Sequence, residues 1–282
     1  MIKFLIISAL FYSLNSNLPE TVLFSGADYL VISHHSFSSH LQPLADLRDS
    51  LGLSVEIIDD TTIYHLFPGD SCQAIKNFIF YAYTTWNPSP SYILLVGDAG
   101  EDGGSNNFIP SKIQPKYSYY YAGGLTQHCS DNWYVELTGN DLIPEIPIGR
   151  LPVNTVQELD SVINNIVRYE TSINTMDSIM IVMAGEYVGA MSIIFNTIPY
   201  HYQQFKYYGT DLSADSCHQL ILNTFNQGLD IVFALCHGCN PTCPSLTWSG
   251  NFVGGSAQIV FSDQDFPQII SHHSLPIIFE FG

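Results

Sequence analysis

The alternation of two hydrophobic periods over residues 28–96 limits the fold more than any other feature of this sequence. Residues 28–33 (DYLVIS), 54–58 (SVEII) and 92–96 (YILLV) are short apolar runs. Runs of this length are too short for helices and read as strands buried on both faces. Between the first two, Leu41, Leu44, Leu47 and Leu51 recur at helical spacing, and Gly52 supplies a C-cap. Residues 61–70, with Pro68-Gly69, read as a loop. Ser71 is the expected cap of a helix to about Trp86, with Ala74, Ile75, Phe78, Ile79 and Ala82 turned inward. Strand, helix, strand, helix, strand is the signature of a parallel sheet covered by helices.

The second half repeats the pattern. Residues 178–184 (SIMIVMA) and 231–235 (IVFAL) predict strands, and 275–281 (LPIIFEF) a final one. Helices are expected at 189–205, interrupted near Pro199, and at 213–225. Residues 248–255 read as loop, 257–261 as a short strand and 263–270 as a loop or short helix. Between the halves, residues 99–139 are rich in Gly, Asn, Ser and Tyr and lack periodicity. An aperiodic stretch of this length is functional or carries short hairpins. Its Tyr117, Tyr119, Tyr120 and Tyr121 read as packing or a rim rather than a binding stack. Thr155 is placed to cap an amphipathic helix through Tyr169. The expected organisation is a leader at 1–17, an N-terminal α/β subdomain at 20–150 and a C-terminal α/β subdomain at 151–282.

The 282 residues are 46% apolar and only 12% charged, enough to bury a large core and too apolar for disorder. Eight Lys and Arg against 26 Asp and Glu give a net charge of −18, which disfavours nucleic acid and anionic membranes as partners. Such a balance would suit a cationic substrate, but it reads first as a surface kept soluble by charge. Residues 1–3 carry one Lys, the eleven residues 4–14 (FLIISALFYSL) are mostly apolar, and Asn15-Ser16-Asn17 follows. That order reads as a secretory signal peptide and places the protein outside the cytoplasm. The run is too short to span a bilayer, and no other stretch is a candidate span.

The run at 231–235 ends in Cys236-His237-Gly238. Open parallel sheets carry their chemistry just outside the carboxyl ends of strands, so His237 is a candidate general base. Cys236, Cys239 and Cys243 crowd it, but adjacent residues point to opposite sides of a strand, and zinc at four ligands within eight residues would be cramped. Cys239 reads instead as a thiol or as a disulfide partner of Cys243, Cys217 or Cys129; it lacks a separate strand to aim it as a nucleophile. The His34-His35 and His272-His273 pairs read as exposed loop residues. Ser33-His34-His35-Ser36 has no glycine to cradle a phosphate, which disfavours a dinucleotide site.

Taken in order, LQPLADLRDSLGLSVEII at 41–58, AIKNFIFYAYTTW at 74–86, YILLVGD at 92–98, Ile109-Pro110, SDNWY at 130–134, GNDLIPEIPIGRLPV at 139–153, Arg168-Tyr169-Glu170, the His-Gly at 237–238 and LPIIF at 275–279 resemble the gingipain-type cysteine peptidases. The resemblance covers about residues 28–282. It implies a caspase-like fold, a mainly parallel sheet flanked by helices, and proteolysis of protein or peptide substrates by a His–Cys dyad. By resemblance His237 is the base, and the backbone N–H of Gly238 helps bind the oxyanion. Glu145 is the acid that supports the His, with Asp141 the near alternative. From the residues alone Glu145 reads equally as a solvated acid or an Arg150 partner. The family places its Cys one small residue beyond the Leu-Pro strand, so the nucleophile is expected directly after Gly282. No cofactor is required; a structural calcium ion, known in the family, can be accommodated by the acidic turn of Asp98, Glu101 and Asp102. The alternative expectation is an inactive pseudo-peptidase that acts as a binding module.

Overall fold

Strand β1 (Tyr29–Ser33) sends Leu30 and Ile32 to one side and Val31 to the other, and all three are buried. That explains its unbroken apolar run: both faces of the sheet are covered. In the computed structural model, β1 lies between β2 (Val55–Asp59) and β3 (Tyr92–Val96), and β3 also pairs with β6 (Ile148–Leu151), all parallel. The structure describes residues 24, 26–100, 108–115, 127–139, 141–171, 177–189, 197–237, 247–269 and 276–281. The leader at 1–17 and the tyrosines at 117–121 lie outside these residues.

The chain divides into two units, Met1–Val167 and Arg168–Gly282. In the first, α1 (Gln42–Ser50) and α4 (Val156–Thr171) cover the face that carries Val31, Leu94 and Val96, through Leu44, Leu159 and Ile163. The opposite face, with Leu30, Ile32 and Leu95, packs on α3 (Ser71–Thr85) through Ala74, Ile75, Phe78, Ile79 and Ala82, the inward set expected. The helix α4 belongs to this unit because its buried side chains complete that core.

Two local expectations are corrected here. Residues 61–70 are not all loop: α2 (Asp60–Leu66) follows β2 directly, with the Asp59 carboxylate accepting from the Thr62 N–H at 2.9 Å. Helix α3 is capped by Asp70, whose carboxylate accepts from the Gln73 N–H at 2.8 Å; Ser71 is its first turn. The aperiodic stretch holds a hairpin of β4 (Lys112–Pro115) and β5 (Gln127–Ser130).

The second unit has its own parallel sheet, in the order β12 (Ile277–Phe281), β9 (Ile231–Leu235), β7 (Ser178–Met183) and β8 (Gln203–Tyr208). Helix α5 (Ala214–Gln227), capped by Ser213, packs Cys217, Ile221 and Phe225 against Met180, Val182, Val232 and Ala234. The antiparallel pair β10 (Thr247–Phe252) and β11 (Gly255–Ser262) adds Trp248, Val260 and Phe261 to this core. The opposite face holds a smaller cluster of Ile181, Met183 and Leu235. Here β8 replaces the end of the helix expected at 189–205, and β10 replaces the loop expected at 248–255. Among the described residues no helix is long and apolar enough to cross a membrane.

Candidate active site

Strands β7 and β9 are neighbours in register, with Met183 opposite Leu235, so the residues that follow each emerge side by side. Ala184 donates its N–H to the Leu235 carbonyl at 2.9 Å, which extends the pairing by one step. Beyond it, residues 185–189 turn helical and carry Glu186 and Tyr187. On β9 the chain continues through Cys236, fully buried, to His237. Adjacent residues face opposite ways, so burying Cys236 turns His237 outward.

The backbone of His237 is fixed by a two-way bridge to β10. Its N–H donates to the Ser249 carbonyl at 2.7 Å, and the Ser249 N–H returns to its carbonyl at 3.0 Å. The ring is held at both nitrogens. Nε2 is 2.8 Å from Glu186 Oε1, and Nδ1 is 3.2 Å from the Tyr187 hydroxyl. The second Glu186 oxygen accepts the Asn251 N–H at 3.0 Å, which fixes the carboxylate. Gly250 makes this approach possible: a Cβ there would lie 2.3 Å from the Ala184 Cβ and 3.0 Å from Glu186 Oε1. The His237 side chain is still 57% exposed, against 23% for Glu186.

A carboxylate accepting from Nε2 fixes the tautomer and the orientation of the ring. The Tyr187 phenol is held above its ordinary pKa, first by burial and then by the Glu186 charge, so it keeps its proton near neutrality. The result is a histidine with an acid on one nitrogen and a phenol on the other, more than half of whose side chain is still exposed. Glu186 and Tyr187 were not among the sequence candidates. The signal was present, because Gly185-Glu186 follows an apolar strand as His237 does. Only the β7–β9 register brings the two ends together.

Glu145 lies in the first unit. Its Oε2 accepts the Leu137 N–H at 2.6 Å, and its Oε1 accepts the Thr138 N–H at 3.1 Å and the Thr138 hydroxyl. The Thr138 hydroxyl and then the Leu137 N–H hold its carboxyl below the ordinary glutamate value. Arg150 does not pair with it. The Arg150 guanidinium grips both oxygens of Asp131, at 2.8 and 2.7 Å, and donates to the carbonyls of Gly97, Ile109 and Pro110. Asp141, the near alternative, accepts the Ile143 N–H at 3.1 Å. Gly238, Glu101, Asp102, Cys239, Cys243 and the His272-His273 pair lie outside the described residues. Cys129 and Cys217 are free thiols, the first exposed and the second buried.

Strand β12 runs parallel to β9 on its other side, with Phe281 opposite Leu235. Three strand ends, those of β7, β9 and β12, therefore share one edge. The two parallel α/β sheets with flanking helices define a caspase-like fold of the cysteine-peptidase kind. The crystal structure of the Arg-specific cysteine proteinase gingipain R is similar over 93% of this chain and 56% of that one, at a TM-score of 0.65 and 20% identity. The complex of Porphyromonas gingivalis RgpB pro- and mature domains is similar over 90% of this chain and 55% of that one, at a TM-score of 0.64 and 20% identity. By sequence, residues 23–281 match peptidase family C25, and the chain belongs to that family. Gingipain R2 of Porphyromonas gingivalis is 26% identical over 148 residues, 52% of this chain and 17% of the relative's length. Gingipain R1 of the same organism matches at 26% over 148 residues, 13% of its length. The matched part thus spans between about an eighth and a sixth of these curated relatives' lengths.

Proposed function

We propose that this chain carries the base side of a His–Cys peptidase site that cleaves protein or peptide substrates outside the cytoplasm. The observation that carries the reading is the 2.8 Å contact between His237 Nε2 and Glu186 Oε1 at the carboxyl edge of a parallel sheet. In this account Glu186 supports the imidazole; Glu145, the position the family resemblance implies, is the competing acid. The nucleophile enters one residue beyond Gly282, at the end of β12. Its support is the β12–β9 register, since parallel neighbours lie about 4.8 Å apart and would bring a thiol there within reach of the His237 ring.

The chemistry then runs in two steps. His237 takes the thiol proton at Nδ1, with the thiol displacing the Tyr187 hydroxyl from that nitrogen, and the thiolate attacks the scissile carbonyl. The backbone N–H of Gly238 helps hold the oxyanion, and His237 returns its proton to the leaving amine. Water then hydrolyses the acyl-enzyme with His237 again as base. The acidic turn at Asp98, Glu101 and Asp102 is proposed, on the resemblance alone, as a calcium site. A hard cation there would draw on several oxygens, and Asp98 offers one while its Oδ1 accepts the Ala99 N–H at 2.8 Å.

The test is kinetic, on a chain that carries the proposed cysteine directly after Gly282. His237→Ala is expected to lower kcat/KM on a peptide substrate by about 10³-fold or more, and iodoacetamide to inactivate the wild type. Cleavage that survives both treatments would overturn the proposal.

A further inference from the structure

The first sheet carries a second cluster of chemically able side chains at its carboxyl edge, built from residues the peptidase reading does not use. His34 and His35 follow β1 directly, and Asp60 opens α2 just beyond β2. The expectation that this histidine pair is solvent-exposed holds for His35 and is corrected for His34. The His34 side chain is only 18% exposed, that of Asp60 7%, and that of His35 54%. His34 Nε2 lies 3.9 Å from Asp60 Oδ2, and His35 Nδ1 lies 3.1 Å from Asp60 Oδ1. One ligand-capable atom from each of the three residues falls within 4.8 Å of the others.

We propose that His34, His35 and Asp60 form a binding site for a divalent transition-metal ion, with zinc the best fit. Two imidazoles and one carboxylate match zinc, whereas calcium and magnesium prefer oxygen alone. Around a tetrahedral ion with bonds of about 2.0–2.1 Å, ligand atoms sit about 3.3 Å apart. The 3.1 Å between His35 Nδ1 and Asp60 Oδ1 is close to that spacing, and one atom from each of the three residues lies within 4.8 Å of the others, so the set must draw in by about an ångström to hold the ion.

The surroundings support the three ligands. When His34 ligates through Nε2, its Nδ1–H faces the Ser36 hydroxyl at 2.7 Å, the outer partner that metal-bound histidines require. Asp60 is positioned by the backbone, since the His35 N–H donates to its Oδ1 at 2.8 Å. Phe108 meets the His34 ring edge-on at 4.9 Å and Phe37 lies at 5.8 Å, a dry wall on one side. The sheet order β2-β1-β3-β6 makes the connections from β1 and β3 leave in opposite directions, and the His34 N–H reaches the Val96 carbonyl at the end of β3, 3.0 Å away. That switch point is where open α/β sheets bind ligands. Three protein ligands leave a fourth position for water. A bound ion would tie the segment after β1 to the start of α2.

The experiment uses the whole chain, stripped with a chelator and with its thiols alkylated so that cysteines cannot compete. Zinc titrated calorimetrically is expected to bind one to one. His35→Ala, at a half-exposed position that leaves the core untouched, is expected to weaken binding at least about tenfold. Asp60→Asn keeps the acceptor for the His35 N–H and is expected to weaken binding similarly, with the unfolding temperature in chelator unchanged. Cobalt in place of zinc should give d–d bands in unalkylated chain without a thiolate-to-metal charge-transfer band. No zinc binding by the wild type, an affinity in His35→Ala within twofold of wild type, or a thiolate band would each overturn the proposal.

Discussion

Arg150 and His237 sit in comparable places, each on a strand of a parallel sheet toward its carboxyl edge, and they are held in opposite ways. Every donor direction of the Arg150 guanidinium is used: Asp131 takes two bonds, and three backbone carbonyls take the rest. Its side chain is 11% exposed. His237 has an acid on one nitrogen and a phenol on the other, yet 57% of its side chain faces solvent. A saturated, buried cation binds the chain to itself. A backed but open imidazole can still exchange a proton with something that arrives. Fixing the backbone of His237 through Ser249, while leaving its ring open, separates positioning from chemistry.

The contrast can be broken by mutation. Arg150→Ala leaves Asp131 and three carbonyls without their partner, and is expected to cost about 3 kcal/mol of stability in denaturant unfolding. His237→Ala should cost less than about 0.5 kcal/mol in the same experiment, as an exposed side chain does. Equal losses would remove the distinction. The buried thiols sharpen it further. Burial pushes Cys217 up to about 12, so at pH 8 iodoacetamide should label exposed Cys129 at least about 10²-fold faster than Cys217 in the native chain. Similar rates would mean that the second unit opens readily.

The smallest effect concerns Glu145. Its folded pKa is depressed, so its stabilising contribution is complete above the ordinary value of 4.5 and is lost as pH falls through the lower folded value. Glu145→Gln should therefore lower stability slightly at neutral pH, converge with wild type at low pH, and so flatten the acid limb of the stability curve below pH 4.5. An unchanged acid limb would mean that the Thr138 and Leu137 bonds do not persist in solution.

The parts of the fold legible in the sequence are those where burial is symmetric. Strands β1, β3, β7 and β9 are covered on both faces and read as continuous apolar runs. Helix α2 was not legible because its burial is confined to Asp60 and Ile63, too few positions to show a period. Strand β8 (QQFKYY) lies at the edge of its sheet and is mostly half-buried, so its pattern is mixed. Strand β10 contains Gly250, and its pairing with β11 shifts register twice, which reads as loop in the sequence. Of the site, His237 was legible because a His-Gly after an apolar strand is a local signal. Glu186, Tyr187 and the His34–His35–Asp60 cluster were not, because each depends on which strands lie side by side.

The most direct measurement compares kcat/KM of Glu186→Gln and Glu145→Gln on a peptide substrate, in a chain that carries the proposed cysteine directly after Gly282. The account predicts that Glu186→Gln loses about 10²-fold while Glu145→Gln stays within a few-fold of wild type. A large loss in Glu145→Gln alongside near-normal activity in Glu186→Gln would contradict it, and would return the supporting role to the acid that the family resemblance implies.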